Sequence, residues 1–392
     1  MTTASFDVAP ASAAGRLAGA RLAILTTRFF DPQSISINYY IAMLLAAMAD
    51  RGIRSRPRIL SLDGLGERTR PVTDILLDHG FSTVTAEAQP VTLFDTESIA
   101  GALDDSDLIV TTFYDWGDHV AAARKRRAVP VVYWVPSLLH HEYVIGGRYR
   151  WSDSGAAARR QRELIRSADL LVFNSHMDRE LATRYFPGIE ARSCVIHPVP
   201  AYRPPYAGSS RQRTITYAGR WDPRKGIDTL IDCVFELYAA DHSIRLRVLT
   251  DAPTPSGTAA MLPAVTARKL ELLTRAGAVE AIPWMSRRGA YLEELSRSGV
   301  LLVPSLYDPF NIVAFDAVTL GVPSIISTFC GATEILRESA TVRFLNPLDV
   351  DDWCATTKEL LRADRGPASP AAANQRSEHE AQRTLEAWAG LM

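Results

Sequence analysis

Short apolar runs, each bounded by polar turns, recur along the whole chain and set its rhythm. In the first half they fall at Arg21–Thr27, Arg56–Leu60, Leu108–Thr112, Val129–Val135, Ala168–Asn174 and Val195–Pro200. In the second half they fall at Thr214–Ala218, Leu246–Thr250, Ala278–Met285, Val300–Val303 and Pro323–Thr328. Continuous rather than alternating runs predict strands buried on both faces of a parallel sheet. Between them, apolar residues return at helical spacing. Ile41, Leu44, Leu45 and Met48 stop at Gly52; Ile227, Leu230, Ile231 and Val234 start near Gly226; Ile312, Phe315, Ala317 and Leu320 stop at Gly321 and Pro323. Met177–Tyr185, Tyr291–Ser298 and Asp349–Leu361 also read as helices. This alternation predicts an α/β protein with two doubly wound sheets. Residues 363–376 are expected to interrupt it, and Ser377–Leu391 to form a last helix.

The proline-rich stretch AYRPPYAGSS (Ala201–Ser210) reads as a linker. It predicts a first domain over residues 21–200 and a second over 201–376, after an Ala/Ser-rich, disordered lead-in over 1–20. The 392 residues leave room for two or three domains, and 47% hydrophobic with 22% charged residues is a globular balance. The lead-in lacks a basic start and a continuous apolar stretch, so no signal peptide is expected. No run of apolar residues reaches the length of a membrane span. A net charge of −1 provides no general field for nucleic acid or an anionic membrane. Cys194, Cys233, Cys330 and Cys354 are widely spaced, which argues against a zinc cluster or disulfide framework and fits a reducing cytoplasm. Asp104-Asp105-Ser106-Asp107 imitates a metal-binding motif, but Leu108–Thr112 follows at once, so a helix-to-strand turn is expected and no metal site.

The candidate chemistry gathers in two blocks. Val303–Glu334 reads VPSLYDPFNIVAFDAVTLGVPSIISTFCGATE: strand, loop, short helix, strand. Asp308 lies in the loop and Asp316 in the helix. The amides of Asn311, Ile312 and Val313 lie between them, at a helix start that favours a phosphate. One carboxylate on each side of a phosphate could hold hydroxyls of two sugars; alternatively, Asp308 is a turn residue and Asp316 a solvated helix acid. The second block, GRWDPRKG, places Arg220 and Lys225 around another helix start, an arrangement suited to a pyrophosphate.

The order of these motifs carries a family resemblance. PS-x2-D-P-F-x5-D-A-x3-G-x-P, then G-x2-E, some 80 residues after G-R-x4-K-G, resembles the nucleotide-binding signature of retaining GT-B glycosyltransferases of family 4, the group of glycogen and sucrose synthases. The family usually has glutamate where Asp308 and Asp316 stand, and glycine where Asn311 stands. The resemblance implies a GT-B fold: two Rossmann-like domains facing a cleft, with the helix over 377–392 crossing back to the first. It implies transfer of a sugar, with retention, from a nucleotide-diphosphate donor to an acceptor hydroxyl, without a metal or further cofactor. Arg220 and Lys225 would neutralise the diphosphate with the amides near Ile312. Asp316 would hold the ribose, and Asp308 with the amides near Cys330-Gly331 the donor sugar. Trp284 and Met285 would wall the base pocket, unless Trp284 belongs to the core, and Arg287 would stack on the base or hydrogen-bond with it.

The first half departs most from the family. The loop after the first strand, RFFDPQSIS, has no glycine; its Asp31, Ser34 and Ser36 are acceptor contacts or plain surface. SLLHHEYVIGG (Ser137–Gly147) looks like the segment whose histidine reaches the donor sugar, but Pro136 occupies that histidine's position. His140 or His141 could supply it; the pair with Glu142 could also position an acceptor hydroxyl or shuttle its proton, or the stretch is a surface loop. The acceptor is open; Ala/Arg-rich composition hints at a bacterium, where natural products and envelope precursors are common acceptors. The alternatives are another GT-B nucleotide-sugar enzyme, such as an epimerase or pseudo-glycosyl coupling enzyme, or a silent nucleotide-sugar-binding protein. A dehydrogenase is disfavoured by the absence of G-x-G-x2-G.

Overall fold

The computed structural model describes residues 15–27, 41, 44–45, 48–49, 53, 57–62, 87–91, 96–145, 151–202, 214–249, 262–283, 285, 288–364 and 368–392. The expected loop around Asp31, Ser34 and Ser36, most of the lead-in, most of the linker, and Trp284 and Arg287 lie outside the described residues. The chain divides into two compact units. One is Met1–His140, Arg150–Ala201 and Asn374–Met392; the other is His141–Tyr149 and Tyr202–Ala373. The short segment 141–149, expected in the first domain, therefore groups with the second.

The first unit holds a parallel sheet of β1 (Leu22–Thr27), β2 (Arg58–Leu62), β3 (Glu87–Val91), β4 (Leu108–Thr111), β5 (Val131–Val135), β6 (Leu170–Phe173) and β7 (Ser193–Val195), in the order 3-2-1-4-5-6-7. Successive strand residues feed opposite cores. Leu22, Ile24, Val110, Val132 and Trp134 pack on one face, and Ala23, Leu25, Ile109, Val131 and Tyr133 on the other. That two-sided burial is why the strands are continuously apolar. Ile41, Leu44, Leu45 and Met48 all enter the first core.

The second unit repeats the pattern with β8 (Ile215–Ala218), β9 (Leu246–Leu249), β10 (Val279–Ile282), β11 (Val300–Val303), β12 (Ser324–Ser327) and β13 (Val342–Leu345), in the order 10-9-8-11-12-13. The order reverses between β8 and β11, which lie side by side. In such sheets the strands' carboxyl ends at this switch point form the ligand crevice.

Five helices bear on the argument: α1 (Leu139–Ile145), α2 (Ile227–Ala240), α3 (Arg288–Ser296), α4 (Ile312–Thr319) and α5 (Pro370–Ala389). Three expectations are corrected. SLLHHEYVIGG is not simply a loop, because α1 occupies its middle; buried Leu138 and Leu139 anchor it, and Gln161 accepts from the Leu139 amide at 2.9 Å. The strand expected over Val195–Pro200 ends at Val195, since Pro198 and Pro200 cannot donate to a ladder. The last helix starts at Pro370, not Ser377: proline is tolerated in a first helical turn, and Ala371, Ala372 and Ala373 are strong helix formers. Leu385, Trp388 and Ala389 of α5 enter the first unit's core. The acidic run Asp104–Asp107 is the expected turn, with Asp107 paired to Arg21 at 3.0 Å and Asp104 to Arg126 at 2.7 Å.

The loops after β8 and β11 are packed together through Gly226. It sits at φ 69°, ψ 35°, and a Cβ there would overlap the carbonyl oxygen of Pro304. Gly277, at φ 66°, has open space around it. Gly277→Ala should thus cost only left-handed strain, about 1 kcal/mol, whereas Gly226→Ala adds a backbone clash and should cost clearly more, about 3 kcal/mol. Urea unfolding of the two variants measures the difference.

Candidate functional site

Asp308 follows β11 on a loop held at three backbone points. Its amide donates to Phe329 O at 3.0 Å, its carbonyl accepts from Gly331 N at 2.9 Å, and Leu306 N donates to Arg224 O at 2.8 Å. The side chain is 7% exposed, and Lys225 Nζ donates to Oδ2 at 2.5 Å. Asn311 Nδ2 donates to the same oxygen at 2.7 Å. Burial alone would raise the Asp308 carboxyl; the charges of Lys225 and Arg224, with these bonds, outweigh it and hold it below its usual value.

Asn311 explains its own identity. Its φ is 67°, the one positive φ at a non-glycine among the described residues. Asparagine is among the few side chains that tolerate that region, so it can replace the family's glycine. Its Oδ1 caps α4 by accepting from Ala314 N at 2.9 Å. The amides of Ile312 and Val313, half-buried in the first turn, have no intrahelical acceptor. Lys225 closes a one-turn 3-10 segment, Pro223–Lys225, capped by Asp222, and α2 starts directly after Gly226. Lys225, Asp308, Asn311 and the start of α4 therefore converge at the switch point. A carboxylate with an ammonium at its edge, next to a helix N-terminus, can hold a phosphate and a neighbouring hydroxyl.

Other predicted residues are placed differently. Asp316 is 1% exposed, and both its oxygens are occupied. Tyr202 donates to Oδ1 at 2.5 Å, and the Arg288 guanidinium reaches Oδ1 at 2.7 Å and Oδ2 at 3.1 Å. The expected ribose ligand is instead the centre of an internal charge pair. The expected amides at Cys330 and Gly331 are also spent, on Ser327 O and Asp308 O. Burial drives the Cys330 thiol well above its usual value, so it stays protonated. Arg220 is exposed, its carbonyl accepting from Tyr217 OH at 2.6 Å, and Met285 is half-buried. The two histidines separate: His140, in the first unit, meets the Tyr185 ring at 5.5 Å, while His141, in the second, stands edge-on to Tyr307 at 4.7 Å, one residue from Asp308. Glu142 pairs with Arg224 at 2.9 Å.

Three residues with no place in the sequence reading thus prove central: Arg224, Arg288 and Tyr202. Arg224 stood beside Lys225 inside a recognised motif. Arg288 stood one position from Arg287. No spacing rule marks either as the buried cation.

Residues 142–388 match the family described as Family 4 Glycosyltransferase in conflict systems, well over half of the chain. The chain belongs to family 4 of the glycosyltransferases. A D-inositol 3-phosphate glycosyltransferase from a Nocardioides species is 24% identical to it over 310 residues, 72% of this chain and 67% of that one. Its counterpart from Mycolicibacterium smegmatis is 26% identical over 272 residues, 66% and 60% of the two chains. The aligned part of this glycosyltransferase thus spans about two thirds of those relatives' length or less. Sucrose-phosphate synthase from Thermosynechococcus elongatus superposes with a TM-score of 0.62 at 17% identity, covering 94% of both chains. HepE from Anabaena, solved in complex with UDP and glucose, gives 0.63 at 14%, covering 93% and 94%. The GT-B fold follows from these likenesses. Among the described residues, no helix is long and apolar enough to cross a membrane.

Two outcomes follow for the glycosyltransferase. Arg288→Met leaves Asp316 buried without its cation and should cost about 3–5 kcal/mol, while Arg288→Met with Asp316→Leu should recover most of it; chemical denaturation measures both. Because the Asp308 carboxyl is depressed, its ionic contribution is complete above the unfolded value of about 3.9 and fades as pH falls through the lower folded one. The stability gap between wild type and Asp308→Asn should therefore be flat from about pH 8 to pH 5 and close only below about pH 4, read by urea melts across that range.

Proposed function

We propose that the chain transfers a sugar from a nucleoside-diphosphate donor to an acceptor hydroxyl, with retention of anomeric configuration. The observation that carries this reading is the Lys225–Asp308 pair beside the start of α4, at the carboxyl ends of β8 and β11. Family membership supplies the reaction class.

The chemistry required is control of the leaving group. As the glycosidic C–O bond breaks, charge gathers on the diphosphate while the sugar becomes oxocarbenium-like. Lys225, with the α4 amides of Ile312 and Val313, would meet that charge, and Arg220, free to swing at the surface, would add a second cation. This role needs no divalent ion. Before the donor arrives, the Asp308 carboxylate occupies Lys225; a phosphate would share that ammonium and leave Asp308 to accept a sugar hydroxyl. Attack on the same face, with the departing phosphate taking the acceptor's proton, requires no protein nucleophile, and Asp308, locked by Lys225 and Asn311, is poorly placed to be one. Of the two histidines, His141 is the one to face the donor sugar, since Tyr307 holds it next to the Asp308 loop.

The acceptor class is a hydroxylated small molecule, a natural product or an envelope precursor. The inositol phosphate named for the relatives is a polyol of this kind. A bacterial, cytoplasmic setting fits four cysteines that are all free thiols.

Lys225→Ala tests the reading. The fold should persist, because Lys225 is a partly exposed side chain, while turnover should fall by at least about a hundredfold, equivalent to the 2.7–4 kcal/mol lost with one preorganised oxyanion donor. Thermal-shift titration with UDP-, GDP-, ADP- and TDP-sugars identifies the donor, since binding raises Tm, and the transfer rate with that donor checks the loss. Near-normal turnover would remove Lys225 from the chemistry.

A further inference from the structure

Arg224 and Lys225 are neighbours in one turn, yet their side chains go to different partners. Lys225 turns to Asp308. Arg224 is 4% exposed and gives Nη1 to Glu142 Oε1 at 2.9 Å. Its backbone is fixed on both sides: its amide donates to Asp222 Oδ1 at 3.1 Å, and its carbonyl accepts from Leu306 N. Burial would weaken the guanidinium's hold on its proton, but Glu142, Asp308, Asp222 and Tyr307 together reverse that, so it remains a cation. A desolvated cation of this kind is strongly destabilising without its carboxylate in place.

The contacts close a ring. Arg224 holds Leu306 through the backbone. Tyr307 comes next and presents its ring to His141 at 4.7 Å and 83°. Glu142 follows His141 and returns to Arg224. Thus, within the second unit, one ion pair and one aromatic contact tie residues 141–142 to the loop that carries Asp308.

We propose that Arg224 is a positioning residue: through Glu142 it fixes residues 141–142 so that His141 rests on Tyr307 beside Asp308, and it does not itself bind the donor. This rests on the reading of the site as a donor-sugar site. It reassigns Glu142 as well, from an acceptor ligand to the anchor of this segment. Its planar guanidinium can hold a carboxylate while buried, which a surface cation such as Arg220 does not need to do.

The test compares Arg224→Met, Glu142→Gln, the double variant and Lys225→Ala in the full chain. With the donor found by thermal shift, Arg224→Met and Glu142→Gln should each lower kcat about tenfold or more while donor Kd stays within about threefold. The double variant should be no worse than the poorer single, because both remove one pair. Arg224→Lys, which keeps the charge, should regain part of the rate. A donor Kd weakened in Arg224→Met as much as in Lys225→Ala would make Arg224 a phosphate ligand and overturn the proposal, as would losses that multiply in the double variant. The His141 ring protons give a readout independent of turnover. In wild type they should be displaced by the Tyr307 ring, and they should move together in Arg224→Met and Glu142→Gln. Unchanged resonances in both variants would overturn the positioning role. Absence of any donor binding and transfer in wild type would instead sink the functional reading, leaving the resonances to decide the ring.

Discussion

Asp308 carries a charge in a place where burial by itself favours the neutral acid. It keeps that charge because Lys225 reaches it at 2.5 Å and Asn311 at 2.7 Å, with Arg224 nearby. The pair joins two loops that are far apart in sequence and adjacent only because β8 and β11 are neighbours at the point where the strand order turns. The surrounding details serve that meeting. Gly226 permits the close approach to Pro304, Asn311 takes the left-handed turn and caps α4, and the Asp308 backbone is pinned to the loop after β12. The arrangement keeps a cation and the first-turn amides of α4 in register.

Two aspartates eight residues apart have different partners, and environment separates them. Asp308 sits at a loop mouth against a partly exposed lysine. Asp316 lies inside α4, closed off by Arg288 and Tyr202. A carboxylate with both oxygens bound at 1% exposure is a structural element that fixes three segments of the second unit to one another. Sequence spacing treats both acids alike; only the partners delivered by α3 and by Tyr202 distinguish them.

The fold was legible in the chain because burial on both faces of a parallel sheet writes itself as apolar runs, and helices between them as periodic ones. The edge strand Glu87–Val91 escaped that reading, since it contains Pro90 and polar residues that only an edge tolerates. The helix α1 escaped because its stability comes from Leu138, Leu139 and the Gln161 clamp, not from its own periodicity. The helix starts after Gly226 and Asn311 were equally legible, since glycine, proline and a periodic apolar run form a local signal. Which amides are spent was not: the Cys330 and Gly331 N–H groups looked available until Ser327 O and Asp308 O consumed them.

The sequence by itself determined the two doubly wound sheets and placed Lys225 and Asp308 in loops that lead from a strand into a helix. Each of these follows from short-range patterns of apolar, turn and charged residues. The tertiary structure decided which of two histidines stands by Asp308, that Arg288 is buried against Asp316, and that Glu142 is held by Arg224. Those choices depend on desolvation and on partners brought in from distant segments, and neither quantity has a local signature in a chain.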